Sequence, residues 1–416
     1  MDYFLIITIL VGLSAVFGYI NVRFLKLPNT IGLMLITIVF TLAVFALSYF
    51  DATLLDAERY IIKQIDFRTV LLDIMLSFLL FAGALHTNFE QLKIQRWPVL
   101  VFSTFGVLVS TFLVGTVMYY LLPLFGLEVA FIHCLLFGAL ISPTDPIAVL
   151  GILKKAGAPK NLETKIVGES LFNDGVGVVV FLTIFQIASF GTENIEAVEI
   201  FKLFGLEVIG GIVLGAIIGW IVYRLMKSIN DYDIEVIITL AGVMVGTAIA
   251  HKFHLSAPLA MVTAGLIVGN DTIRGTAMSE ITESYVDKFW ELIDILLNAI
   301  LFVLIGMEML VLAIEGRYII AGLIAIPIVL ACRYVSLLAP INFFKKRLDF
   351  APKTNLIMTW GGLRGGISIA LALGLSDQMD RELFLVITYV IVVFSILVQG
   401  LTVGGLIKQV QKKKVE

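Results

Sequence analysis

The chain has 416 residues, of which 59% are hydrophobic and only 15% charged, with a formal net charge of −3 and a mean hydropathy of +1.02. That balance excludes an ordinary water-soluble globule and describes an all-α polytopic membrane protein. No basic patch with interleaved aromatics occurs, which sets nucleic acid aside as a partner. The two cysteines, Cys134 and Cys332, both fall in apolar runs and support neither a disulfide framework nor a zinc site.

About thirteen apolar spans can be drawn, at 2–22, 30–50, 67–87, 97–122, 128–153, 164–189, 199–228, 232–250, 255–270, 288–313, 317–340, 353–376 and 382–408. The first has no positively charged lead and no small-residue cleavage site, so no cleavable signal is expected. The ninth is short and opens near Pro258, and the polar stretch 271–287 reads as a surface loop or an interfacial helix. Of the two alternating sets of loops, the one containing 23–26, 93–96, 154–165, 224–227, 274–288, 345–353 and 408–414 holds most of the Lys and Arg. That set is therefore expected in the cytoplasm, with the N-terminus outside and the C-terminus inside. If the seventh span is a linker, the six on either side of it start from opposite faces, the arrangement of an inverted repeat. The fifth span then corresponds to the twelfth, TWGGLRGGISIALAL at 359–373, whose glycines weaken the helix around Arg364.

Within the fifth span, ALISPTDPIAVL at 139–150 sets Asp145 between Pro143 and Pro146. Each proline lacks an N–H, so the carbonyls of Ala139 and Ser142 lose their helical partners, and a break of this kind survives in lipid only beside a cavity or another helix. Read alone, Thr144-Asp145-Pro146 also fits a loop that caps a helix N-terminus. In the sixth span, VGESLFNDGVGVVVF at 167–181 places Glu169 beside Asn173 and Ser170 beside Asp174 on adjoining helical stripes. Counted from Lys154 and from Lys165, Asp145 and Asp174 each lie about 13–14 Å deep, near the middle of a bilayer. Acids at that depth mark ion or proton pathways. Arg333 and Arg364 also fall inside spans and join them as candidates.

Other features read more plainly. Gly211, Gly215 and Gly219 form a stripe suited to close helix packing, and Lys412–Lys414 suits an anionic leaflet. His86 and His133 lie near helix ends as structural residues or, less readily, as pH sensors. Glu291, Asp294 and Glu308 on the tenth span either line a water path or sit near its ends.

Taken together, SPTDP (142–146), GESLFND (168–174), CRYVSL (332–337) and GGLRGG (361–366) resemble the cation:proton antiporter family that contains NhaP-type prokaryotic antiporters and the animal sodium/hydrogen exchangers. The likeness covers essentially the whole membrane chain. It implies thirteen helices in two inverted repeats with interrupted crossing helices, a mobile core of spans 4–6 and 11–13, and a scaffold that forms a homodimer. On that pattern residues 1–90 begin the scaffold, 97–190 hold the first half of the core and 199–313 the linker and further scaffold. Residues 317–410 hold the second half of the core and 411–416 a short basic cytoplasmic tail. By resemblance Asp174 is the alternating ligand of proton and monovalent cation, Asn173 supports it, and Asp145, the Thr144 backbone and Ser170 complete the shell. Glu169 pairs with Arg333, and Arg364 complements the broken helices. One position departs: in FAGALH (81–86) Ala82 stands where many NhaP-like relatives carry an acid, so no third-span ligand is carried over. The long regulatory tail of the animal exchangers is not expected.

The resulting expectation is a secondary antiporter in the inner membrane of a bacterial or archaeal cell, exchanging Na+ for H+ one for one, with no cofactor. K+/H+ exchange is the alternative within the same fold. A cation channel fits less well, because the acids are single residues on interrupted helices rather than a filter repeated about an axis. A membrane enzyme fits least, since no metal-ligand spacing or nucleophile-base pair occurs in the spans.

Overall fold

The computed structural model describes residues 3–47, 69–87, 89–145, 149, 153, 156–190, 197–308, 315–346, 350 and 353–415. Among these there is no strand. The helices are α1 (Tyr3–Ile20), α2 (Asn29–Leu47), α3 (Leu76–Leu85), α4 (Phe89–Ile94), α5 (Arg96–Leu121), α6 (Phe131–Ile141), α7 (Lys160–Phe190), α8 (Ala197–Met226) and α9 (Tyr232–Lys252). They continue with α10 (Ala257–Val268), α11 (Asp271–Ala277), α12 (Glu280–Glu308), α13 (Gly316–Phe344), α14 (Thr354–Trp360), α15 (Gly366–Leu373), α16 (Arg381–Phe394) and α17 (Gly400–Val415). Nine helical stretches among the described residues are long and apolar enough to cross a membrane, and Val70–Leu85, Phe131–Ile141 and Ala257–Val268 are shorter apolar ones. The interrupted pair α14 and α15 completes the set drawn from the sequence, giving a multi-pass membrane protein. Large apolar side chains such as Phe112, Ile209 and Trp220 are exposed on the outer surface, as lipid-facing residues must be.

Helix ends follow local chemistry. The α6 helix stops at Ile141 because Pro143 follows. Pro146 and the loop lysines 154 and 155 lie outside the described residues, as do the side chains of Glu308 and Lys412–Lys414. At the start of α10, the Ser256 hydroxyl accepts from the Leu259 N–H with Pro258 in the first turn. The tenth span begins earlier than the hydropathy suggests. Ser279 caps α12 by accepting from the Thr282 N–H at 3.2 Å, and the helix then runs 29 residues from Glu280. At about 43 Å it is longer than the hydrocarbon core, so its first turns stand clear of it.

Those first turns are clamped. Arg274 of α11 holds Asp287 through both guanidinium nitrogens at 2.8 and 3.0 Å, Glu283 at 3.1 Å, and the carbonyl of Leu85 at 3.1 Å. Burial pushes the guanidinium pKa down, but Asp287 and Glu283 more than offset this and hold it above its ordinary value. The stretch 271–287 is thus one short helix plus the root of α12.

In one part of the molecule α5, α6 and α7 pack together, α13 lies on α5 and α16, and α15 touches α6 and α16. In the other, α10 sits between α3 and α8, and α12 packs on α1, α2, α3 and α9. The glycine stripe of α8 makes its approach to α10 possible: a Cβ on Gly211 would lie 2.7 Å from the Ser256 carbonyl oxygen, and one on Gly219 3.0 Å from Ile267. Trp290 of α12 is fully buried, donates to the Thr239 hydroxyl at 2.9 Å, and lies 4.6 Å from Phe81 of α3, centroid to centroid, with the rings tilted.

Candidate functional site

The two helix breaks meet. The Asp145 N–H donates to the Leu363 carbonyl at 2.7 Å, joining the extended chain after α6 to the Gly361–Gly365 gap between α14 and α15. Arg364 lies in that gap and its Nη1 donates to the carbonyls of Ser142 and, at 2.8 Å, Pro143. The Ser142 carbonyl is the one that a proline four residues on leaves without a helical donor. A guanidinium there also meets the negative end of the α6 dipole. The gap must be glycine at Gly365, where a Cβ would come 2.5 Å from the Asp145 carboxylate.

A π turn, Ser395–Gln399, steadies the same gap from α16. The Ser395 hydroxyl accepts from the Arg364 N–H at 2.8 Å, and the Gln399 amide donates to the Trp360 carbonyl at 3.0 Å. Neither residue stands out in the sequence; their only signal is polarity inside the apolar thirteenth span. π turns of this sort re-aim side chains and recur at functional sites.

From α7, Asn173 accepts from the Thr144 N–H at 3.2 Å through Oδ1 and donates to Thr144 Oγ1 at 2.9 Å through Nδ2. The Ser170 and Thr144 hydroxyls are 2.9 Å apart. Thr144, Ser170, Asn173 and Asp174 are buried, while Asp145 is half-buried. Asp145 and Asp174 line one cavity of about 40 Å³ together with Pro143, Gly365, Asn298 and a wall of leucines. That is room for a few waters or one largely dehydrated ion. The negative charge of Asp145 acts on both Asp174 and Asp294.

Glu169 and Arg333 are each 1% exposed, with Oε1 and Nη1 2.6 Å apart. The N–H bonds are not aligned along that contact, so the pair is held by charge more than by a directed hydrogen bond. Arg333 Nε lies close enough that a Cβ on Gly362 would sit 3.3 Å from it.

One reading changes. Lys165 does not end an exposed loop: α7 starts at Lys160, and Lys165 is 1% exposed with its ammonium 3.9 Å from the Phe350 ring centroid. Counted from Lys160, Asp174 is about 21 Å along the helix. Ala82 packs with Phe81 and Leu85 against α10 and Trp290 rather than at the cavity, where the third span presents Leu76, Leu79, Leu80 and Gly83. Both histidines have partners: His86 Nδ1 is 2.9 Å from the Ala82 carbonyl, and His133 Nδ1 2.9 Å from Asp380 Oδ2.

Two interrupted helices crossing beside paired acids, in an all-helical multi-pass fold, define an ion-coupled secondary transporter. A sequence model of the family described as sodium/hydrogen exchanger, transmembrane, matches residues 12–409, and the chain belongs to that family. It is 49% identical to the Na(+)/H(+) antiporter NhaP of Pseudomonas aeruginosa, over 96% of this chain and 95% of that protein. It is 34% identical to the Na(+)/H(+) antiporter NhaH of Halobacillus dabanensis, over 98% of each. The sodium proton antiporter MjNhaP1 of Methanocaldococcus jannaschii superposes with a TM-score of 0.76 at 18% identity, over 99% of both chains, so the fold is shared.

Proposed function

We propose that this protein exchanges Na+ for H+ by alternating access, with Asp174 as the carboxylate that carries either ion in turn. Asp145, Ser170 and the Thr144 backbone complete the shell, and Asn173 orients Thr144. The observation that carries this reading is the shared cavity of Asp145 and Asp174 at the crossing of the two breaks. The near full-length similarity to a protein named as a Na(+)/H(+) antiporter supports sodium as the substrate. The packed group of α5–α7 and α13–α17 is the moving core. The remaining helices are a scaffold through which two copies pair, and the C-terminus faces the cytoplasm.

Charge sets the stoichiometry. With Asp294 and Glu308 left out of the count, Asp145, Glu169 and Asp174 face Arg333 and Arg364, which leaves one negative charge for one Na+ or one proton to balance. A bare charge near the midplane costs about 2.5–3.5 kcal/mol even on a lenient scale, so the empty, ionised core seldom reorients. Exchange is therefore one for one and electroneutral. Because proton and cation compete for one carboxylate, apparent Na+ affinity falls as pH falls while maximal rate changes little.

Liposomes carrying the protein and a pH-sensitive dye test this, with Na+, Li+ and K+ supplied in turn and valinomycin setting the membrane potential. The expected result is saturable Na+-driven proton movement that is indifferent to the potential and lost in Asp174→Asn. A rate that follows the potential would overturn the stoichiometry, a preference for K+ the substrate, and conductance without saturation the antiport itself.

A further inference from the structure

The cavity has a polar group that neither the sequence motifs nor the proposed shell includes. Asn298 of α12 is 5% exposed and lines the cavity with Asp145 and Asp174. Its amide nitrogen is committed to Asp294, one turn earlier, donating to the Asp294 carbonyl oxygen at 2.9 Å and to its carboxylate Oδ1 at 3.0 Å. Those two acceptors settle which way the amide points, because turning it over would set oxygen against two oxygens. The Asn298 carbonyl oxygen is thereby turned away from Asp294, and no hydrogen bond to it occurs among the described residues; the side chain borders the cavity. A neutral oxygen beside two carboxylates is the donor type that hard cations take.

We infer that Asn298 Oδ1 is a ligand of the transported cation, presented by α12 from the wall opposite the helix breaks, and that Asp294 is the positioning residue that holds it there. The assignment rests on the Na+/H+ reading of the same cavity. It makes the shell bipartite, part on α7 and the chain that follows α6 and part on α12, so the cation touches both sides of the seam between them. Asp294 acts through the amide and adds no second transported proton, which keeps the one-for-one count intact.

The test uses the full chain in liposomes, with Na+ titrated at fixed pH. Asn298→Ala is expected to raise the apparent KM for Na+ about tenfold, the loss of one ligand to a charged group, with maximal rate retained and the Na+/Li+ preference altered. Asp294→Ala should raise KM in the same direction but by less, because the amide loses its carboxylate acceptor while keeping the backbone carbonyl. Asp294→Asn keeps an acceptor for the amide and should restore the wild-type KM. An unchanged KM and ion preference in Asn298→Ala would overturn the ligand assignment. Asp294→Asn as damaging as Asp294→Ala would overturn the positioning role, because charge would then be what matters. Na+-dependent thermal stabilisation of the purified variants gives the same comparison without transport. Wild-type protein that fails to exchange Na+ for H+ would refute the parent reading instead.

Discussion

At the scale of single residues, the informative signal is a charge that an apolar run should not contain. Asp145, Glu169, Asp174, Arg333 and Arg364 are legible for that reason: burying an ionised side chain in a membrane is expensive enough that each must have a partner or a task. Asn298, Ser395 and Gln399 were not legible, because a neutral amide or hydroxyl in a transmembrane helix is cheap and common; only the fold says which of them face the cavity or the break. The Glu169–Arg333 pair lends itself to a direct measurement. Removing one partner strands a buried charge, so Glu169→Gln or Arg333→Gln alone should each lose about 3–5 kcal/mol of stability. The double variant should lose less than the two single losses together. Strictly additive losses in a thermal-shift cycle would show that the two charges do not support one another.

At the scale of elements, proline and glycine marked both interruptions, and hydropathy marked most spans, because each acts on the backbone locally. The start of α12 was not legible: its first turns are polar, and what makes them helical is the Ser279 cap and the Arg274 clamp, the latter assembled from residues brought together by tertiary packing. Nor was the π turn at Ser395, since a register shift of one residue leaves no trace in composition. The clamp has a pH signature. A guanidinium held above its ordinary pKa contributes stability that is fully present below its unfolded value and lost only as pH rises through the folded one, far above the physiological range. Arg274→Gln should thus lower stability by about 1–3 kcal/mol, and the loss contributed by the guanidinium should be equal at pH 7 and pH 9. A loss that shrinks between those two values would mean that the arginine is already titrating there.

At the scale of the whole molecule, the thirteen-span fold with two interrupted, crossing helices was readable because the halves carry their breaks at corresponding places. The contact between the breaks was not, since Asp145 and Leu363 are far apart in sequence and only folding brings them together. What that contact leaves across from it is a wall on α3 and α12 made of Leu76, Leu79, Leu80 and Leu301, with Asn298 the single polar side chain there among the described residues. If the core moves past this wall as proposed, hydrocarbon slides on hydrocarbon with no directional bonds to break at each step, and the wall acts as a bearing that carries load in every position and favours none. Leu79→Asn would fit a catch to it, a donor and acceptor able to seize a backbone group in one state. Turnover at saturating Na+ should then slow several-fold while the apparent Na+ affinity stays near the wild-type value; an unaltered rate would mean that the surfaces do not move past one another at that point. Friction, as much as affinity, is set by what faces the ion.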